Sequence, residues 1–434
     1  MTTYEDHIEL LRFCTCGSVD DGKSTLIGRL LYDSKMLMED QVDQLEKTMV
    51  MTGEFNLANL TDGLRAEREQ GITIDVAYRY FATPKRRFIV ADSPGHVQYT
   101  RNMVTGASTA NLSIILVDAR KGVIEQTRRH SYLSSLLGIP HVVVCVNKMD
   151  LVDYSEEVFS KIRHDFEDFS SNLNIRDITI IPASALKGDN VVNPSKNMPW
   201  YRGPSLLGFL EDVHIAHDRN LKDPRFAVQY VVRPLSGEHN DFRGYAGQVN
   251  SGVFEKGDDV VVLPSGYRTK IKDIWHNNQS NERCFAPMST CIVLEDDIDV
   301  CRGNMIVKEN NIPYIAREQE AMICWMHQQP MQLRKKYVIK HTTNNTRVVI
   351  QSLDHKVDIQ TLNKIRDIDE LKLNEIGRVK MKTLSALMYD PYQDNHSTGA
   401  FIIIEPATHL TVGAGMMLKP STPPPVPDFT DFVI

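Results

Sequence analysis

From Leu11 to about Ala216 the chain alternates short, wholly apolar runs with stretches of helical period. The runs are LRFCTC, RFIVAD, LSIILVDA, HVVVCVNK and ITIIPAS. A strand apolar at every position is buried on both faces, which is the pattern of a parallel sheet. Helical periods at Ser24–Tyr32, Gln126–Leu137 and Ser155–Leu173 lie between the runs and supply the covering layers. The pattern changes after Lys222-Asp223-Pro224. FAVQYVV, GYAGQVNSGVF, DDVVVLPSG and RTKIKDIW alternate and are broken by Gly and Pro turns, as in a small antiparallel barrel. A second β-rich block runs through EAMICWM, RKKYVIKHT, RVVIQSL, GRVKMKTL and AFIIIEP. The expected division is an α/β domain at 1–222, barrels at 223–311 and 312–419, and a proline-rich tail at 420–434. At 434 residues, two or three domains are also what length alone suggests.

Composition adds exclusions. The formal charge of -7 gives no basic footprint, so nucleic acid is not an expected partner. No apolar run approaches the roughly 20 residues that span a bilayer. The start, MTTYEDHIELL, lacks the basic and apolar regions of a signal peptide. Seven scattered cysteines without CxxC spacing read as reduced thiols of a cytoplasmic protein. Cys14 and Cys16 alternate in one apolar strand and are expected to pack rather than bind metal.

Chemistry enters with GSVDDGKS, a GxxxxGK[ST] loop between a strand and a helix. The backbone of Gly17, Ser18, Val19, Asp20, Asp21 and Gly22 is expected to cradle phosphates at the positive helix N-terminus, continuing through Thr25. Lys23 would reach the β and γ phosphates and Ser24 a magnesium ion. Asn147-Lys148-Met149-Asp150 follows the next-to-last apolar run. The Asp150 carboxylate can accept both ring-edge donors of guanine. Asn147 suits the N7/O6 side, and the Lys148 stem can lie along the base. Ser184-Ala185-Leu186 would add a backbone amide to the guanine oxygen. Asp92-Ser93-Pro94-Gly95-His96 follows RFIVAD. Asp92 is placed to hold magnesium through water, Gly95 to contact the γ-phosphate and His96 to orient the attacking water. Thr73, in EREQGITI, is a candidate metal ligand that closes only over a triphosphate. Glu39–Met51 reads as a helical, solvated connector, and Lys85-Arg86-Arg87 as an exposed hairpin turn.

Together, GSVDDGKS, EREQGITI, DSPGH, NKMD and SAL resemble the translational GTPases, with elongation factors Tu and 1-alpha as relatives. The phosphate loop departs from elongation factors, which have histidines where Ser18 and Asp21 stand. The longer strings GSVDDGKSTLIGRLLYDS, DGLRAEREQGITIDVAYRYF and ADSPGHVQYTRNMVTGASTANLSIILVDAR are similar to the large GTPase subunit of sulfate adenylyltransferase, as are FRGYAGQVNSG, LNEIGRVKM and STGAFIIIE. The resemblance implies an α/β P-loop GTPase domain followed by two antiparallel β-barrels. It implies GTP/GDP and Mg2+ as cofactors, and a heterodimer with a smaller subunit that carries adenylyl transfer from ATP to sulfate. That transfer gives adenosine 5′-phosphosulfate and pyrophosphate against an equilibrium favouring ATP. GTP hydrolysis would activate and drive it. Some members carry an adenylylsulfate kinase after the second barrel, so a tail at 420–434 suits a stand-alone subunit or the first part of such a fusion. Delivery of aminoacyl-tRNA is the rival role for this scaffold; the net charge, Ser18 and Asp21 speak against it.

Overall fold

The computed structural model describes residues 9–35, 57, 75–94, 100–215, 220–233 and 242–422. Thr73, Gly95, His96, the Glu39–Met51 stretch and the tail beyond residue 422 lie outside them. The chain forms two compact units, Met1–Asp218 with Ile359–Thr361, and Arg219–Asp358 with Leu362–Ile434.

The first unit is built on a six-stranded sheet. Its strands are β1 (Leu10–Cys16), β2 (Ala77–Ala82), β3 (Arg87–Asp92), β4 (Leu112–Asp118), β5 (His141–Asn147) and β6 (Asp177–Pro182), in the order β2-β3-β1-β4-β5-β6. All neighbours are parallel except the edge strand β2, which pairs antiparallel with β3 through a hairpin. β4 and β5 are buried at every position, as their unbroken apolar runs require. Among the described residues its α-helices are α1 (Lys23–Asp33), α2 (Thr100–Ala107), α3 (Glu125–Leu136), α4 (Glu156–Ser170) and α5 (Leu206–Asp212). α4 starts at a Ser155 cap whose hydroxyl accepts the Val158 amide, and α5 at a Ser205 cap doing the same for Gly208. One side of the sheet forms a core of Leu11, Phe13, Phe88, Ile114, Val143 and Ile181, against Leu26, Leu30, Leu206 and Leu210 of the helices. Cys14 and Cys16 are free and buried within β1.

The second unit holds two closed antiparallel barrels of six strands. The first ring comprises β7 (Arg225–Val232), β8 (Gly244–Ser251), β9 (Asp259–Leu263), β10 (Tyr267–His276), β11 (Ser289–Leu294) and β12 (Met305–Lys308). It runs β9-β12-β7-β8-β11-β10 and closes by pairing β10 with β9. The second comprises β13 (Tyr314–Trp325), β14 (Lys336–His341), β15 (Asn344–Val357), β16 (Ile376–Tyr389), β17 (Ala400–Ile404) and β18 (Thr411–Met417). Its order is β14-β17-β18-β13-β16-β15, closed by β15 on β14. Closure leaves no strand edge in either ring. Among the described residues no helix is long and apolar enough to cross a membrane.

Candidate nucleotide site

The carboxyl ends of β1, β3, β4, β5 and β6 carry the motifs of the α/β domain, where open parallel sheets take ligands. Residues 17–22 connect β1 to α1. Gly22 sits at φ 93°, ψ 30°, a left-handed conformation suited to glycine. A Cβ there would also meet Asn147 Nδ2 at 2.5 Å. Gly22 is the N-cap of α1, and among the described residues no side chain caps that end. The first-turn amides are therefore available to an anion at the positive end of an 11-residue helix. Lys23 is buried and donates to the carbonyls of Gly17 at 3.0 Å and Ser18 at 2.9 Å. Burial pulls its pKa down, while Asp92 and Asp21 act in the opposite sense. Asp21 folds beneath the loop, where its Oδ2 accepts the Ser18 amide at 2.6 Å. Burial raises its pKa.

Asp92 ends β3 almost fully buried. Thr15, its register partner on β1, donates to Asp92 Oδ1 at 3.0 Å. That fixes the carboxylate beside the phosphate loop. Thr15 was not singled out from sequence, because its partner lies 77 residues away and only strand register brings them together. Ser93 follows with a buried hydroxyl that has no hydrogen-bond partner among the described residues.

The NKMD and SAL motifs close the other side. Asn147, at the end of β5, bridges two loops: Nδ2 donates to the Asp21 carbonyl at 2.8 Å, and Oδ1 accepts the Ala185 amide at 2.9 Å. Sequence reasoning gave Asn147, and a backbone amide of the Ser184-Ala185-Leu186 segment, to the base. The structure commits the Ala185 amide and the Asn147 oxygen to each other, leaving Asn147 one amide hydrogen for a ligand. Met149 is fully buried and anchors to the Ala183 carbonyl at 3.1 Å, while Leu186 is exposed. The Ala185 carbonyl accepts from Arg29 Nε of α1 at 3.1 Å, and Arg29 also holds the Leu186 carbonyl. Ser184 donates its hydroxyl to Asp150 Oδ1 at 2.6 Å. That bond orients the carboxylate and leaves Oδ2 for a second donor.

Lys148, left-handed at φ 63°, reaches the Asp20 carbonyl and pairs with Asp118 Oδ2 at 3.1 Å. Asp118 ends β4 and accepts from Arg120 Nε at 3.0 Å and a terminal guanidinium nitrogen at 2.6 Å. Burial opposes its ionisation, but the Arg120 and Lys148 contacts hold its pKa far below the usual carboxylate range. Asp118 also escaped sequence reasoning. Its signal was there in LSIILVDA, an apolar strand ending on a carboxylate like RFIVAD.

The family models of the elongation factor Tu GTP-binding domain and of the GTP-eEF1A C-terminal domain match residues 8–222 and 318–418. The bifunctional enzyme CysN/CysC of Mycobacterium tuberculosis is 57% identical over 94% of this chain and 67% of its own length. Sulfate adenylyltransferase subunit 1 of Bacteroides fragilis is 54% identical over 95% of this chain and 87% of its own. Among solved structures, Sup35 complexed with GDP aligns over 96% of both chains at 22% identity and TM-score 0.43. With its GSVDDGKS, NKMD and SAL segments joined at one end of the sheet through Asn147, the chain belongs to the family of sulfate adenylyltransferase subunit 1, whose first domain is a GTP-binding domain of the elongation factor Tu type.

Proposed function

We propose that this chain binds and hydrolyses GTP, and that hydrolysis activates and drives sulfate adenylylation on a smaller partner subunit. The partner joins ATP and sulfate to give adenosine 5′-phosphosulfate and pyrophosphate. The observation that carries the reading is the Asn147 bridge, which ties the Lys23 loop to the Asp150–Ser184 pair. One ligand with phosphates at one end and a guanine edge at the other satisfies both. The names of the subunit 1 relatives support an assembly with another subunit.

The donor set also suits magnesium. A first-turn hydroxyl on Ser24 and a buried strand-end carboxylate on Asp92 match an ion that binds few protein oxygens and completes its shell with phosphates and water. Bound with the triphosphate, magnesium would neutralise charge on the β and γ phosphates. Ser24 would hold it directly, Asp92 through water, and Thr73 in the triphosphate state. His96 would position the attacking water. Coupling to the partner requires that the segments around Thr73 and Asp92–His96 bind it differently with GTP and GDP. The domain division is 1–222, 223–311 and 312–419, with a tail at 420–434, and the setting is cytoplasmic.

The test is GTP turned over per adenylylsulfate formed, measured with the smaller subunit present. A fixed ratio under conditions where adenylylsulfate accumulates beyond the uncoupled equilibrium is expected. Synthesis indifferent to GTP would refute the coupling.

A further inference from the structure

Among the described residues, one face of the α/β sheet carries exposed tyrosines at its edge. Tyr80 of β2 stands opposite Ile89 of β3, which stands opposite Arg12 of β1. Directly opposed residues share a face, so this row runs across three strands. The next row on the same face is Ala82, Arg87 and Leu10, and Tyr78 lies on the other side of Tyr80. Tyr80 is 72% exposed and Tyr78 46% exposed. Between the tyrosines and the end of α2 lies an open cavity of about 250 Å³, bordered by Arg12, Ile89, Gly106 and Ala110.

Charge sets this face apart from its surroundings. The neighbouring cations of the hairpin are already matched, Lys85 by Glu211 and Asp212 and Arg86 by Glu9. Arg12 and Arg87 have no carboxylate partner among the described residues, and Arg87 is exposed. Two exposed tyrosines over a cavity, with two uncompensated guanidinium groups beside them, form an arrangement complementary to an apolar side chain flanked by carboxylates. Tyr and Arg are also the residue types that carry binding energy at protein interfaces.

The connections give the face its meaning. β2 opens at Ala77, four positions beyond Thr73, and α2 opens at Thr100, four positions beyond His96. Gly106 of α2 packs so closely that a Cβ would lie 3.1 Å from Ser93 Oγ and 3.1 Å from Val76 Cγ1. The elements that leave the two nucleotide-sensing segments are thus the two walls of the cavity.

We propose that this face is the docking surface for the smaller adenylyltransferase subunit, which presents an apolar side chain to the cavity and carboxylates to Arg12 and Arg87. The inference rests on the functional reading above, which supplies the partner. A subunit seated here touches β2 and α2 together, so its affinity reports the state of both segments.

The experiment measures binding of the full chain to the smaller subunit, with GDP and with a non-hydrolysable GTP analogue, for the native sequence, Tyr80→Ala and the double variant Arg12→Glu/Arg87→Glu. Leu384→Ala, another exposed apolar residue, is the control. Nucleotide affinity of each variant verifies folding. Weakening of about tenfold or more for both test variants is expected, with nucleotide affinity and the control unchanged. A complex that survives both variants overturns the docking face and leaves the functional reading standing. Failure of the native chain to form any complex overturns that reading and this proposal together. Self-association of the chain lost on Tyr80→Ala assigns the face to a second copy and overturns the proposal.

Discussion

At the scale of single residues, the groups proposed to meet the base and phosphates are oriented by one another. Asp150 keeps one oxygen on the Ser184 hydroxyl at 2.6 Å and offers the other. Asp150→Asn can still accept from Ser184 while presenting a donor in place of the free acceptor. Its preference is therefore expected to pass from GTP to xanthosine triphosphate, read by competition binding, and unchanged selectivity would refute the base-reading role. Gly22→Ala is expected to abolish nucleotide binding, because the new methyl group would strike Asn147 Nδ2 from a left-handed backbone. Equilibrium binding of a fluorescent GDP checks it. His130 on α3 gives a pH signature. It is buried, with Nε2 3.3 Å from Gln126 Nε2, and burial, aided by Lys23 and Arg129, pushes its pKa down to about 3. The unfolded chain takes up that proton near pH 6.5, and the folded one does not until far lower. Stability should thus fall as pH drops below about 6.5, and His130→Gln should flatten the slope in thermal unfolding between pH 7.5 and 5. An identical slope would contradict the assignment.

At the scale of elements, continuous apolar runs made β1 and β3 to β6 legible, and helical period made α1, α3 and α4 legible. Motifs written as contiguous strings could be placed on strand ends for the same reason. What escaped was held by partners far apart in sequence. Thr15 on Asp92, Arg29 on the 184–186 loop and Asp118 on Lys148 exist only once register and helix packing are fixed. The hairpin turn at Lys85-Arg86-Arg87 shows the same limit. Lys85 and Arg87 are exposed as the charge cluster suggested, but Arg86 is 6% exposed. Its guanidinium donates to the Leu210 carbonyl at 3.0 Å and the Val213 carbonyl at 2.6 Å, closing the C-terminal end of α5. Arg86→Met keeps the aliphatic stem and leaves two buried carbonyls unmatched. A loss of about 1–3 kcal/mol is expected in denaturant unfolding of the α/β domain. A neutral effect would show that the cluster is only a solvated turn.

At the scale of the whole molecule, the barrel unit is pinned by a charge pair joining its first strand to the second ring. Arg225 opens β7 fully buried and meets Asp390 with two bonds of 2.9 Å, while a third nitrogen reaches the Asn311 carbonyl at 2.8 Å. Thr398 donates to the same carboxylate at 2.6 Å. Breaking the pair from one side strands a buried charge, so Asp390→Ala should lower the stability of this unit by about 3–5 kcal/mol. Scanning calorimetry of the intact chain reads it, and a transition at the native temperature would contradict the pin.

Whether a guanine nucleotide held by Lys23 and Asp150 drives chemistry on another subunit is decided by adenylylsulfate synthesis with the native chain and Asp150→Asn, each supplied with GTP or xanthosine triphosphate and the smaller subunit. GTP is expected to drive synthesis with the native chain and xanthosine triphosphate with the variant. Synthesis that ignores the nucleotide, or that follows GTP equally in both proteins, would contradict it.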